Sequence, residues 1–217
     1  SLPAASWVFV TFARTTGDRG YLQAGVYEIR ADDTIRSLID KMRRGQTIRY
    51  QVTVPEGLTV KQWRDRLAAD ERLAGKSLDV ASLSAVLMND RGPEGQFFPD
   101  TYEFEYGDAV QDIFRRAHQR MWQVLNDEWQ FNENAELRSP YEALILASII
   151  EKETGAPEDR EMIASVFTNR LRLGMKLQSD PTVIYGMPDF DGDLTRRHLR
   201  TPTDYNTYVI PARSEEH

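Results

Sequence analysis

Two glutamates with a single lysine between them close an apolar run: Ala143-Leu-Ile-Leu-Ala-Ser-Ile-Ile150 leads directly into Glu151-Lys152-Glu153. A run that is apolar nearly all round predicts a buried helix. A carboxyl group at the end of such a helix is desolvated, which disfavours its charged form and raises its pKa. That is the state a general acid needs. Glu151 would lie one turn above Ala147 and Ser148, whose small side chains leave room for a cleft, whereas Glu153 would lie above Ile149 and Ile150, whose bulk suits packing. The competing reading is a helix that ends in a solvated Glu-Lys-Glu terminus. Spacing alone does not choose between the two glutamates.

Three further groups of polar residues follow. Asn169 shares a helical stripe with Met162, Val166 and Leu173, so an amide is carried on an apolar face and must find a hydrogen bond there, in the structure or from a ligand. Leu177-Gln-Ser-Asp-Pro-Thr-Val-Ile-Tyr-Gly186 reads as a loop with polar residues at alternate steps, and loops beside a catalytic helix commonly carry substrate contacts. In Thr201-Pro-Thr-Asp-Tyr-Asn-Thr-Tyr208 tyrosines flank an asparagine, a combination suited to sugar rings: an apolar face for stacking, with hydroxyl and amide groups for the ring hydroxyls. His118 falls inside a helix with no carboxylate or serine partner nearby in sequence and reads as structural.

Composition removes most alternative chemistries. The chain has 217 residues, 41% hydrophobic and 28% charged, as in an ordinary globular protein of one large or two modest domains. Its net charge of −7 provides no broad positive field for phosphates, so nucleic acid is not an expected partner. With no cysteine and three histidines, disulfides, thiolate metal sites and cysteine nucleophiles are excluded, and neither a metal nor another cofactor is expected. The apolar run Trp7 to Ala13 is far short of the roughly 20 residues a spanning helix requires.

The elements that must position these residues begin with a repeated plan. Ala24 to Ile29 alternates as a strand, and Asp33-Thr34 caps a helix bearing Ile35, Leu38, Ile39 and Met42, with Gly45 as its stop. Tyr50 to Val54 alternates again, Pro55-Glu-Gly57 turns, and Thr59 caps a helix bearing Val60, Trp63 and Leu67. Leu78 to Met88 reads as another helix, and Gly92-Pro-Glu-Gly95 breaks the chain at an expected domain boundary. Pro99 argues that Phe97 to Phe104 is an irregular packed loop. Asp108 opens a helix to about Asp127, with Val110, Ile113, Phe114, Ala117, Met121 and Leu125 on one face. Ser139-Pro140 starts the helix that ends in the glutamates, and Pro157-Glu-Asp159 starts the next, which stops at Gly174.

Seven ordered blocks carry a resemblance to a known family: Leu22-Gln-Ala-Gly-Val-Tyr27, Pro55-Glu-Gly-Leu-Thr59, Phe98-Pro-Asp-Thr-Tyr102, Ala147-Ser-Ile-Ile-Glu-Lys-Glu-Thr154, Ala164-Ser-Val-Phe-Thr-Asn-Arg-Leu171, Leu177-Gln-Ser-Asp-Pro-Thr-Val-Ile-Tyr185 and Tyr205-Asn-Thr-Tyr208. The chain resembles the YceG-like proteins, the MltG endolytic murein transglycosylases, over about residues 9 to 210. The resemblance implies an α+β fold: a small LysM-like α/β subdomain with a preceding helix over residues 1–92, then a mainly helical lytic-transglycosylase-like catalytic domain over 93–217. It favours a helix for Ser6 to Thr15. It implies cleavage within nascent peptidoglycan strands, with Glu151 as the catalytic residue and substrate-cleft roles for Asn169, Gln178, Asp180, Thr182, Tyr185, Tyr205 and Asn206. It further implies an N-terminal anchor in the bacterial inner membrane, a periplasmic location and association with penicillin-binding protein synthases.

Against that pattern, the chain lacks the anchor and, after Tyr208, the family's Gly-Leu-Pro-Pro segment; it ends Val209-Ile-Pro-Ala-Arg-Ser-Glu-Glu-His217. The expectation is therefore a piece of a longer protein, with one wall of the cleft lacking. The rival reading is a non-catalytic wall-binding module that docks a biosynthetic partner. A third, a lyase using a pyridine cofactor, requires a Schiff-base lysine, for which only Lys152 is near and no phosphate-binding glycine loop accompanies it.

Overall fold

Capping decides where the first helices start. Helix α1 (Ile35–Arg43) begins where the Thr34 side chain accepts from the Ser37 amide while the Ser37 hydroxyl accepts from the Thr34 amide, a reciprocal capping box. The same device opens α2 (Val60–Ala68): Thr59 Oγ1 accepts from the Gln62 amide at 3.3 Å, and Gln62 Oε1 accepts from the Thr59 amide at 2.8 Å. Both caps stand at the threonines expected from sequence. Thr59→Ala should lower stability by about 1 kcal/mol, measured by urea unfolding. The computed structural model describes residues 22–75, 78, 83, 86, 87 and 92–211. The helix expected over Ser6 to Thr15 lies outside the described residues, as does most of Leu78 to Met88.

Strand β1 (Arg49–Val54) pairs antiparallel with β2 (Asp100–Glu105), setting Tyr50 opposite Phe104 and Val52 opposite Tyr102. Two expectations are corrected here. Ala24 to Ile29 is not a strand; it contributes one backbone bond to this region, from the Ile48 amide to the Val26 carbonyl. The segment after Pro99 is a strand, not an irregular loop, because proline sits just before its first residue and removes no ladder donor. Within it Tyr102 and Phe104 alternate inward while Thr101 and Glu103 face solvent.

A two-stranded ribbon is marginal alone and needs a covered face. That cover is α2 and α3 (Val110–Trp129), whose Trp63, Leu67, Val110, Ile113, Phe114 and Ala117 join Val54, Phe97, Tyr102 and Phe104 in one core. The α3 face agrees with the expected one at Val110, Ile113, Phe114 and Ala117. This core runs across residue 92, so the division expected there does not coincide with the division of the hydrophobic cores; β1 and α2 lie before it, β2 and α3 after it. His118 is half-buried, its Nδ1 3.2 Å from the Gln96 carbonyl and its ring between Phe97 and Trp122, a structural placement.

The second core is smaller. Helix α4 (Pro140–Glu153) packs against α5 (Arg160–Arg172) and the short α6 (Asp180–Tyr185), with Leu146, Ile149, Phe167, Leu171 and Leu177 buried between them. The fold is thus mixed helix and strand, α+β. No described helix is long and apolar enough to cross a membrane.

Candidate functional site

Helix α4 starts as its sequence dictates, with Ser139 accepting from the Glu142 amide at 3.2 Å and Pro140 in the first turn, where its missing N–H costs nothing. Its expected burial does not hold. Only Leu146 and Ile149 are buried, Ile145 is 46% exposed, and Ala147 and Ser148 face outward. An all-round apolar helix needs cover on every side, and the described residues cover one. Glu151 therefore does not end a buried helix; its side chain keeps 29% exposure.

The structure separates the two glutamates by their partners. Glu151 lines an open depression of about 380 Å³ with Ala147, Ile150, Arg160, Glu161 and Ala164, and its Oε2 is 2.9 Å from Arg160 Nη2. The small Ala147 leaves this space, as expected from sequence. Arg160 Nε is buried beside it and has no hydrogen-bond partner among the described residues. Glu153 instead accepts from the hydroxyl of buried Ser179, tying the end of α4 to the segment before α6. A second depression, about 440 Å³ and lined by Arg196, Arg197, Arg200, Thr201 and Pro202, holds no carboxylate for proton transfer.

The turn between β1 and α2 meets Glu151 from the other side. Gly57 has φ +73°, a conformation that L side chains rarely adopt, and a Cβ there would lie 3.6 Å from Lys152 Nζ and 3.7 Å from Glu151 Oε1. Lys152 Nζ donates to the Gly57 carbonyl, which holds the turn against α4 and turns the lysine away from Schiff-base chemistry. Glu94, in the Gly92 to Gly95 breaker, accepts from the Val60 amide at 3.0 and 3.3 Å, with the Tyr185 hydroxyl and Lys152 close enough to favour its charged form. Burial pushes the Glu94 carboxyl above its ordinary value against those three lowering influences. Burial, with the neighbouring Glu94 carboxylate, also raises the Tyr185 hydroxyl.

Segment 177–186 is not the loop the sequence suggests: Asp180 and Pro181 open α6, and proline in the first turn fixes φ in the helical range. Thr207 clamps this element. Its Oγ1 accepts from the Ser179 amide at 2.9 Å and meets Thr182 Oγ1 at 2.8 Å, while its carbonyl accepts from the Gln178 amide at 3.2 Å. Gln178 holds φ +55°, a strained value for a non-glycine residue. Asp180 accepts from the Tyr208 hydroxyl at 2.6 Å, pushing that hydroxyl up to about 12. Tyr185 and Tyr205 meet edge to face at 4.7 Å and stay half open to solvent.

The remaining two expected cleft residues stand elsewhere. Asn169 is exposed on α5, its Oδ1 accepting from Arg172 at 3.2 Å, because the stripe it shares with Met162, Val166 and Leu173 faces solvent and a different stripe, Phe167 and Leu171, packs. Asn206 is fully buried, its amide donating to the carbonyls of His198, Leu199 and Thr201 and its Oδ1 accepting from the Tyr208 amide at 2.9 Å. Asn206→Ala leaves those groups unpaired, and about 1–3 kcal/mol of stability should be lost in thermal unfolding. Sequence reasoning missed Arg160, Glu94, Ser179 and Thr207. Glu94 stood within a breaker noticed only for its glycines, and nothing in the linear spacing paired Arg160 with Glu151.

With this geometry in hand, similarity to known proteins is informative. The model of the YceG-like family matches residues 2–212. A Bacillus subtilis protein named endolytic murein transglycosylase is 28% identical over 92% of this chain and 61% of its own length. A Streptococcus pneumoniae protein of the same name is 28% identical over 76% of this chain and 35% of its own length. The chain thus spans about three fifths of the first relative and one third of the second. A crystal structure of a yceG-like protein from Listeria monocytogenes superposes with a TM-score of 0.58 at 27% identity, covering 94% of this chain and 74% of that one.

Proposed function

This chain belongs to the YceG-like family, and on that premise we propose that it carries the active site of a peptidoglycan lytic transglycosylase, with Glu151 as its one acid–base group. The observation that carries the reading is the contrast between the glutamates: Glu151 lines an open depression and Glu153 is held by Ser179. Most glycosidases set two carboxylates across the scissile bond, but a reaction in which the sugar supplies its own nucleophile needs only one. Protonated Glu151 gives its proton to the β-1,4 oxygen between N-acetylmuramic acid and N-acetylglucosamine, and the C1–O bond breaks. The C6 hydroxyl oxygen of the muramyl residue then bonds to C1, and its proton returns to the Glu151 carboxylate. A 1,6-anhydro end forms and no water is consumed.

In this reading Tyr185 and Tyr205 are the stacking surface for sugar rings. Gln178, Asp180, Thr182 and Asn206 hold that surface through Thr207, Tyr208 and the 198–201 carbonyls, and Asn169 meets the strand along the outer face of α5. The Arg160 pair holds the Glu151 side chain until a bound strand displaces it. A LysM-like character for the residues before the breaker, an inner-membrane anchor, a periplasmic setting and penicillin-binding synthase partners follow from the family resemblance alone and belong to this proposal.

The rival is a non-catalytic wall-binding module, and one observation favours it: the Glu151 carboxylate is already engaged by Arg160. Mass spectrometry of peptidoglycan strands incubated with this chain, and with a form extended past residue 217, separates the two. Anhydro-muramyl ends from either protein support the transglycosylase; strand binding without such ends from both supports the module.

A further inference from the structure

Away from Glu151, cationic side chains gather at one place on the surface. Arg196, Arg197 and Arg200 line the second depression, of about 440 Å³, together with Thr201 and Pro202. All three arginines are exposed, and their guanidinium groups have no ion pair or hydrogen bond among the described residues. The chain as a whole carries a net charge of −7, so this cluster is a local field set against the general one. Asp189, Asp191, Asp193 and Asp204 are near in sequence, yet none of them lines the depression.

The backbone that carries the arginines is tied down. The Arg200 amide donates to the Arg197 carbonyl at 3.1 Å and the Thr201 hydroxyl donates to the same carbonyl at 2.9 Å, closing a 3₁₀ turn over His198–Arg200. From inside, the fully buried Asn206 amide donates to the carbonyls of His198, Leu199 and Thr201. One side chain serving three carbonyls fixes the turn to the residue that follows Tyr205. The turn also packs on α6, which ends in Tyr185, and just beyond it a Cβ on Gly186 would lie 2.5 Å from Thr203 Oγ1. The arginines and the Tyr185–Tyr205 pair therefore stand on one hydrogen-bonded piece.

We propose that this depression is an anion subsite for the acidic stem peptide of a peptidoglycan strand whose sugars stack on Tyr185 and Tyr205. A guanidinium matches a carboxylate through two parallel N–H donors, and three of them side by side suit a ligand with more than one carboxylate. Neutral sugar rings offer such a cluster no charge to meet. A bare muramyl residue offers one lactyl carboxylate. Once a peptide is attached, that group is an uncharged amide, and the negative charges lie further out, on the isoglutamyl and C-terminal carboxylates of the peptide. The volume falls within the about 300–1,000 Å³ of small-ligand pockets.

The subsite rests on the reading that the chain acts on peptidoglycan and names the part of the strand it recognises, so the test reads binding and not cleavage. NMR titrations compare three probes: a disaccharide muropeptide carrying its acidic stem peptide, the same disaccharide after an amidase has removed the peptide, and an N-acetylglucosamine hexamer. The proteins are wild type, Arg200→Gln, the triple variant Arg196→Gln/Arg197→Gln/Arg200→Gln and, as a control, Arg115→Gln on α3, where Arg115 pairs with Asp112. The triple variant should bind the muropeptide about tenfold more weakly and Arg200→Gln about threefold, because exposed charge pairs are individually modest. Hexamer binding should be alike in all four proteins. Wild-type affinity for the muropeptide should fall as sodium chloride rises from about 0.05 to 0.5 M, and the triple variant should lose most of that dependence. If the triple variant does not fold, Arg200→Gln and the salt series on wild type carry the test.

Muropeptide binding by wild type that is no tighter than hexamer binding, or that the arginine substitutions and salt leave unchanged, overturns the subsite and leaves the transglycosylase reading standing. Equal, arginine-dependent binding of the amidase-treated disaccharide overturns the stem peptide as occupant in favour of the lactyl carboxylate. Arginine-dependent binding of phosphatidylglycerol vesicles, with muropeptide binding unaffected, overturns it in favour of a lipid surface. If the wild type forms no anhydro ends while the arginines still select the muropeptide, the reaction assignment fails and the subsite stands.

Discussion

Glu151→Gln should fold as the wild type does and release at least 10²-fold fewer anhydro-muramyl ends from peptidoglycan strands. Glutamine keeps the shape of the side chain and one oxygen that can accept from Arg160 Nη2, which now sits 2.9 Å from the carboxylate. What it loses is the exchangeable proton. General acid or base work is worth about 10²–10⁴-fold, and here one group is asked for both steps, so the loss should lie toward the upper part of that span. Glu153→Gln is the matched control. Glu153 accepts from the Ser179 hydroxyl, and glutamine can still accept there, so the anchorage of the segment before α6 survives and most activity should remain. Near-normal cleavage by Glu151→Gln would sink the assignment. Loss in Glu153→Gln alone would transfer the role to it. The readout is mass spectrometry of the fragments, with circular dichroism confirming that both variants are folded.

Phe114→Ala should lower the stability of the fold by about 3–5 kcal/mol in urea unfolding. The ring is 0% exposed, meets Phe97 nearly edge to face at 4.7 Å and lies 5.7 Å from Trp63. Removing it opens a cavity shared by α2, α3 and the segment entering β2, which cannot collapse together without moving the sheet. Against a whole-domain stability of about 5–15 kcal/mol, that is a large fraction. Phe131→Ala is the control, since that ring is 80% exposed and should shift stability by less than about 0.5 kcal/mol. A cost under about 1 kcal/mol for Phe114→Ala would mean that the residues before and after position 92 do not share one core.

Local rules were sufficient where local chemistry decides. Thr34, Thr59 and Ser139 cap their helices because a short polar side chain followed by helical apolar spacing leaves few alternatives, and the buried face of α3 follows from its 3.6-residue period. Beside them, Tyr50 to Val54 reads as a strand from its alternation alone, yet its partner was out of reach: pairing with β2 joins segments nearly fifty residues apart, and Pro99 disguised that strand by sitting one residue ahead of it. Ala24 to Ile29 has the same alternation and no ladder among the described residues, since alternation states which face a strand would bury and not whether a neighbour is available. Helix α5 shows the same limit. It carries two apolar stripes, and only packing against α4 decides that Phe167 and Leu171 go inside while Met162, Val166 and Leu173 stay out, taking Asn169 with them.

The site divides along the same line. Composition dictates that the chemistry is carried by carboxylates, amides and tyrosines, because the chain offers no cysteine, few histidines and no basic field, and local spacing brings Glu151 and Glu153 to the end of one helix. Two residues apart on a helix, those glutamates point about 200° from each other. What each faces came from packing alone: Arg160 and an open depression for Glu151, Ser179 for Glu153. Helical spacing fixes directions around one axis, whereas the partners met in those directions depend on how separate elements pack, and that is set by burial summed over the whole chain.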